Sequence, residues 1–97
     1  MKLTIEHIIQ SAQSEMLVPP RDADATLTTL VWDSRLVVEG SLFVAIVGGH
    51  VNGNDYIIQA LEAGAGAVIA SQVPTAAIRD AARQSGAALF LAADNDA

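Results

Sequence analysis

Leu42-Phe43-Val44-Ala45-Ile46-Val47 is apolar at every position, and the reading of this run decides the fold. A strand with one wet face alternates apolar and polar side chains. An unbroken apolar run instead marks a strand covered on both faces, the habit of parallel sheets with helices packed against them. Toward the C-terminus the pattern becomes regular. Residues 48–53 carry three glycines and read as a loop. Asn54 or Asp55 then caps a helix whose inner face is Ile57, Ala60 and Leu61, with Gly64 as its stop. Residues 67–70 are a second buried strand. Pro74 suits the first turn of another helix, which presents Ala77, Ile78, Ala81 and Ala82 and ends at Gly86. Residues 88–91 are a third apolar strand. The unit of helix, glycine and apolar strand thus occurs twice, which gives a βαβαβ run with right-handed connections.

The N-terminal half is less regular. Residues 27–32 are rich in Thr, Leu and Val and read as a strand. Asp33-Ser34-Arg35 interrupts it, Leu36-Val37-Val38 is a short apolar piece, and Glu39-Gly40 is a turn. Residues 18–24 form a loop, because Pro19 and Pro20 stop both helix and ladder. Residues 4–13 read as a short helix capped by Thr4, with Ile5, Ile8 and Ile9 on one face and His7 just off that stripe. The polar end, residues 94–97, is expected to fray or to lead toward further chain. The predicted architecture is a three-layer α/β/α domain with a mainly parallel or mixed sheet.

With 97 residues, 52% hydrophobic and only 16% charged, the chain makes a single compact domain, residues 1–97, and not a disordered segment. Aromatics are 4%, so Ala, Val, Ile and Leu carry the packing. Cysteine is absent, which excludes disulfides and cysteine-based zinc sites or nucleophiles and fits a cytoplasmic protein. A formal net charge of −6 argues against nucleic acid or an anionic membrane as partner. The start of the chain is not patterned as a signal peptide, and the apolar run is far short of the roughly 20 residues of a membrane span. The sole lysine is Lys2, so no glycine loop ending in Gly-Lys-Ser/Thr exists here for ATP.

Three features can carry chemistry. The loop Gly48-Gly49-His50-Val51-Asn52-Gly53-Asn54 follows the most buried strand and opens a helix. That is where open α/β sheets bind ligands, although an ordinary connection needs glycine just as much. His50 can stack on a base or donate to a phosphate, or it is simply solvated. With His7 as the only other histidine, no metal site is expected. Asp33-Ser34-Arg35 offers an acceptor, a hydroxyl and a guanidinium. The plain alternative is a turn in which Asp33 holds nearby backbone N–H groups and Arg35 pairs with Asp33 or Glu39. Trp32 reads as core more readily than as a cover for a planar ligand, and Tyr56 either serves the glycine loop or packs.

Taken in order, Trp32-Asp33-Ser34-Arg35, Gly40-Ser41-Leu42-Phe43-Val44-Ala45, Gly48, Gly53, Asp55-Tyr56-Ile57 and Ala60…Gly64-Ala65 resemble the N-terminal domain of the Mur ligases of peptidoglycan synthesis. Ala45-Ile46-Val47-Gly48-Gly49-His50 is more similar to the MurE type, which adds the third amino acid, than to the MurF type. The resemblance implies a domain that holds the UDP end of UDP-N-acetylmuramoyl-L-alanyl-D-glutamate. It places Trp32, Ser34, Gly49, His50 and Val51 at nucleotide-contacting positions, with Arg35 and Asn52 beside them. Where the family has Asp-Gly-His, this chain has Asn52-Gly53-Asn54. The resemblance further implies that ATP and Mg²⁺ serve ATP-binding and C-terminal ligase domains absent from this chain, so no catalytic residue, metal or cofactor is assigned to it. The partners implied are the UDP-linked dipeptide substrate and those remaining domains, in a process that underlies cell shape and division. The alternative is a non-enzymatic regulatory or protein-interaction α/β domain whose glycine loop is purely structural.

Overall fold

The computed structural model describes residues 3–4, 14–22, 26–48 and 51–92. The elements run β1 (Leu3–Thr4), β2 (Ser14–Val18), β3 (Thr26–Leu27), β4 (Thr29–Val31), a 3-10 turn (Ser34–Leu36), β5 (Ser41–Val44), β6 (Val47–Gly48) and β7 (Val51–Asn52). A second 3-10 turn (Gly53–Tyr56), α1 (Ile57–Glu62), β8 (Ala67–Ala70), α2 (Ala76–Ser85) and β9 (Ala88–Ala92) complete it. The main sheet has five strands in the order β2-β9-β8-β5-β4. Its four inner and right-hand strands, β9, β8, β5 and β4, are parallel, and β2 lies antiparallel on β9 at one edge. The sheet is therefore mixed. Two antiparallel pairs, β1 with β3 and β6 with β7, stand apart from it.

Register explains why the strands are apolar throughout. Phe43, Val68 and Leu89 lie in one row across β5, β8 and β9, and Leu42, Ala67 and Ala88 lie in the next. Adjacent rows point to opposite faces. The first packs with Ile57, Ala60 and Leu61 of α1 and Ala82 of α2, and the second with Leu27 and Phe90. Phe43 and Phe90 are both fully buried, one in each cluster. Burying one such side chain contributes about 2–3 kcal/mol. Both faces of the sheet are thus covered, with α1 and α2 on the same one. The helix predicted over residues 4–13, which would supply the third layer, lies outside the described residues except for Thr4, which is in β1 and pairs with Thr26 of β3. The polar tail over 94–97 also lies outside them.

The two helices are bounded by local chemistry. Thr75 caps α2 by accepting a hydrogen bond from the Ile78 N–H, and Gly86 closes it with φ +81 in the left-handed region. Arg21 seals the same end, its backbone N–H donating to Gly86 O and its Nη2 to Gln84 O. A cation at a helix C-terminus meets the carbonyls that have no partner within the helix. Pro74 precedes the cap instead of opening the helix, and Ala77 is exposed, so the buried stripe of α2 is narrower than its alanines suggest.

Three further expectations change. The strand read over 42–47 ends at Val44, because Ala45 N–H makes a last bond to Ile69 O and the chain then leaves the sheet. Ile46 and Val47 are consequently exposed, at 49% and 55%. Neither Asn54 nor Asp55 caps α1: both lie in the 3-10 turn before it, which Asn52 caps, and the residue at the N-cap of α1 is Tyr56, with no side-chain cap hydrogen bond. Trp32 is not core: it is 65% exposed.

Candidate functional site

The chain leaves the carboxyl ends of β4 and β5 in two loops, and a cleft of about 490 Å³ opens between them. One wall is Trp32, Asp33, Ser34 and Arg35, which follow β4 directly; the other is Tyr56 and Gln59, just before α1 and in its first turn. Phe43, Ile46 and Gly53 line the space between. The position agrees with the general rule that open α/β sheets receive ligands beyond the carboxyl ends of their strands.

The first wall is fixed by a short polar turn. Asp33 caps the 3-10 turn, its Oδ1 accepting the Arg35 backbone N–H at 2.9 Å. The same carboxylate takes the Arg35 guanidinium side-on, Nε donating to Oδ1 at 3.0 Å and Nη2 to Oδ2 at 2.8 Å. The Arg35 hydrogen bonds, side chain first and backbone second, hold the Asp33 carboxyl down at about 2, below its ordinary 3.8. Asp33 in turn raises the Arg35 pKa, chiefly by that hydrogen bond and then by its charge. A side-on pair leaves the Nη1 edge of the guanidinium available to a second acceptor. The sequence alternatives for this turn therefore meet in one structure: Asp33 braces Arg35, and both still line the cleft.

The second wall is held by amides. Asn52 Oδ1 accepts the Asn54 backbone N–H at 2.9 Å and Asn54 Nδ2 at 2.8 Å, while Asn52 Nδ2 donates to Gln72 Oε1 at 3.0 Å. Asn54 is buried, and its side chain also donates to Ser71 Oγ and accepts from the Ser71 and Gln72 backbone N–H groups. The loop before α1 is thereby tied to the end of β8. Gly53 makes the approach possible. Its N–H donates to Ile46 O at 2.8 Å, and a Cβ there would stand 2.6 Å from the Ile46 nitrogen.

Of the site residues expected from sequence, Trp32, Ser34 and Arg35 come together in the cleft. Asn52 does not line it; its side chain is occupied in the loop clamp. The Val51 backbone pairs with Gly48, and Gly49 and His50 lie outside the described residues. Gly53 comes from the glycine loop singled out in the sequence, whereas Phe43, Ile46 and Gln59 were not foreseen as lining a site. Tyr56 and Gln59 stand three apart and off the Ile57, Ala60 and Leu61 stripe, a spacing that puts them on one exposed side of the segment. Among the described residues no cluster of three His, Cys, Asp or Glu could hold a metal ion.

Comparison with known proteins assigns the chain to a family. The family described as "Mur ligase family, catalytic domain" matches residues 26–89, two-thirds of the chain, and the chain belongs to that family. Among its relatives is the UDP-N-acetylmuramoyl-L-alanyl-D-glutamate--2,6-diaminopimelate ligase of Lactiplantibacillus plantarum, 38% identical over 65 residues, covering 67% of this chain and 13% of the relative. The ligase of the same name from Vibrio vulnificus is 49% identical over 63 residues, covering 62% of this chain and 13% of that protein. The chain thus spans about an eighth of the length of these relatives. In fold it resembles MurF from Acinetobacter baumannii, with a TM-score of 0.73 at 19% identity over 97% of this chain and 18% of that one. No helix among the described residues is long and apolar enough to cross a membrane.

Proposed function

We propose that this chain is the N-terminal, UDP-holding domain of a cytoplasmic, ATP-dependent UDP-N-acetylmuramoyl-peptide ligase, of the type that adds the third amino acid to UDP-N-acetylmuramoyl-L-alanyl-D-glutamate. The observation that carries the proposal is the cleft at the ends of β4 and β5, into which Trp32, Ser34 and Arg35 all converge. These are a flat apolar surface, a hydroxyl and a guanidinium, a set suited to a base, a ribose and a diphosphate. The names of the relatives support a third-residue ligase over a MurF type. Gly49, His50 and Val51 are proposed to add contacts from the loop.

Such a ligase would take ATP and Mg²⁺, which would supply the phosphoryl chemistry that prepares the glutamyl carboxylate for amide formation. The donor set here does not suit that chemistry: the matched region contains no lysine and the described residues offer no carboxylate or histidine cluster. The proposal therefore gives this chain binding and orientation of the substrate alone, with the reacting steps in the remaining domains of the ligase.

A UDP titration followed by NMR tests it. Shifts clustered at Ser34 and residues 48–54, with Kd on the order of 0.1–1 mM, are expected for a half-site with an opposing acidic field. Absence of shifts at millimolar UDP would overturn the reading.

A further inference from the structure

We infer that Gln59 reads the base in this cleft, through a paired amide contact to the imide edge of uracil; the inference rests on the UDP reading above. Uracil presents an acceptor, a donor and an acceptor in a row: O2, the N3–H and O4. Two adjacent atoms of that edge need a donor and an acceptor side by side, and among side chains an uncharged carboxamide supplies both at once. The cleft has one such group. Asn52 and Asn54 stand close by in sequence but do not line it, and their amides are committed to each other, to Ser71 and to Gln72. Gln59 lines the cleft, is exposed, and none of the hydrogen bonds among the described residues engages its amide.

Position supports the chemistry. Gln59 lies on α1, which packs against the 3-10 turn carrying Ser34 and Arg35, so the amide faces a wall that already offers a hydroxyl and a cation. Trp32 on the first wall and Ile46 between the walls give exposed apolar surface for the ring. The division of labour is then base edge to Gln59 on one wall, ribose and diphosphate to Ser34 and Arg35 on the other.

The test uses the 97-residue chain with two probes, UDP and its N3-methylated analogue, in which a methyl group replaces the N3–H while O2, O4, the ribose and the diphosphate are kept. Wild type should bind UDP about three- to tenfold more tightly than the methylated analogue, the discrimination expected of one hydrogen-bonded pair. Gln59→Leu, an exposed change to a good helix former, should bind the two probes equally, with UDP weakened to the level of the analogue. A purely structural role for Gln59 would weaken both probes by the same factor and keep the ratio, which overturns the inference while UDP binding itself survives. No binding of UDP by wild type would overturn the inference and the proposed function together.

Discussion

The Arg35 guanidinium lies side-on to the Asp33 carboxylate, two residues away, with Nε on one oxygen at 3.0 Å and Nη2 on the other at 2.8 Å. A pair this local is built by the turn itself, because the Arg35 backbone N–H already holds Asp33 Oδ1. It fixes where the cleft's cation sits before any ligand arrives. It also leaves the pair in water: the Arg35 side chain is 82% exposed, so the contact sets geometry more than it adds stability.

The pair should survive unusually far into acid. Asp33 is held at about 2 against an ordinary 3.8. A carboxyl with a depressed folded pKa contributes its stabilisation in full above the unfolded value and loses it as pH falls through the folded one. The contribution is therefore complete above about pH 4 and disappears toward pH 2. A carboxyl-carbon NMR titration should give Asp33 a midpoint near 2; a midpoint at the ordinary value would mean the pair is not formed in solution.

Ser34→Ala should leave the melting temperature nearly unchanged and weaken UDP by about 0.5–1.5 kcal/mol, the net worth of one neutral hydrogen bond. Arg35→Ala should weaken UDP as well and flatten its salt dependence, because a screened charge contact is removed. Calorimetry at two ionic strengths reads both variants. If both stay folded and bind UDP as wild type does, this turn is not part of the site.

Asn54→Ala should be the most damaging polar change in the loop. It deletes two donors and an acceptor, and leaves the Ser71 and Gln72 backbone N–H groups to find other partners. These bonds are part-buried, so losing them together costs about 1–2 kcal/mol. Urea unfolding should show that loss, whereas Asn52→Ala, the loss of a cap, should cost about 1 kcal/mol.

Gly53→Ala asks whether the close approach matters. Its Cβ would meet the Ile46 nitrogen and carbonyl oxygen and the Ala45 Cα within 3.0 Å, all of them backbone. Backbone cannot rotate aside, so the loop must shift. The expected outcome is destabilisation by about 1–3 kcal/mol together with loss of UDP shifts at Ile46 and Tyr56. Wild-type stability would show that the loop has slack that the structure does not reveal.

How much of this was legible depended on whether the determinant was local. β8 and the start of β9 are short apolar segments between glycine-stopped helices, and the structure places them where the spacing does. Gly64 and Gly86 stop their helices with positive φ, as a missing Cβ allows. The antiparallel strand β2 went unread because its partner, β9, is some seventy residues away and Glu15 and Met16 face water. The overrun from Val44 to Val47 has the same origin. Hydropathy reports that Ile46 and Val47 are apolar, but not that the chain turns out of the sheet to build a cleft there. At the site, Ser34 and Arg35 were visible as a polar interruption. Gln59 was not, since an exposed glutamine on a helix carries no pattern of its own until the opposite wall is in place.

The loop clamp also governs how this protein ages. Asn52-Gly53 is the dipeptide most prone to spontaneous deamidation, in which the glycine nitrogen attacks the asparagine carboxamide carbon, ammonia leaves, and the cyclic imide opens to aspartate or isoaspartate. Here that nitrogen is donating its hydrogen to Ile46 O, and the carboxamide is pinned between Asn54 and Gln72. Neither reactant can turn toward the other without opening the clamp. The native fold thus shelters its own most fragile bond, and the fraction of isoaspartate accumulated at residue 52 becomes a chemical record of the time each molecule has spent with that loop undone.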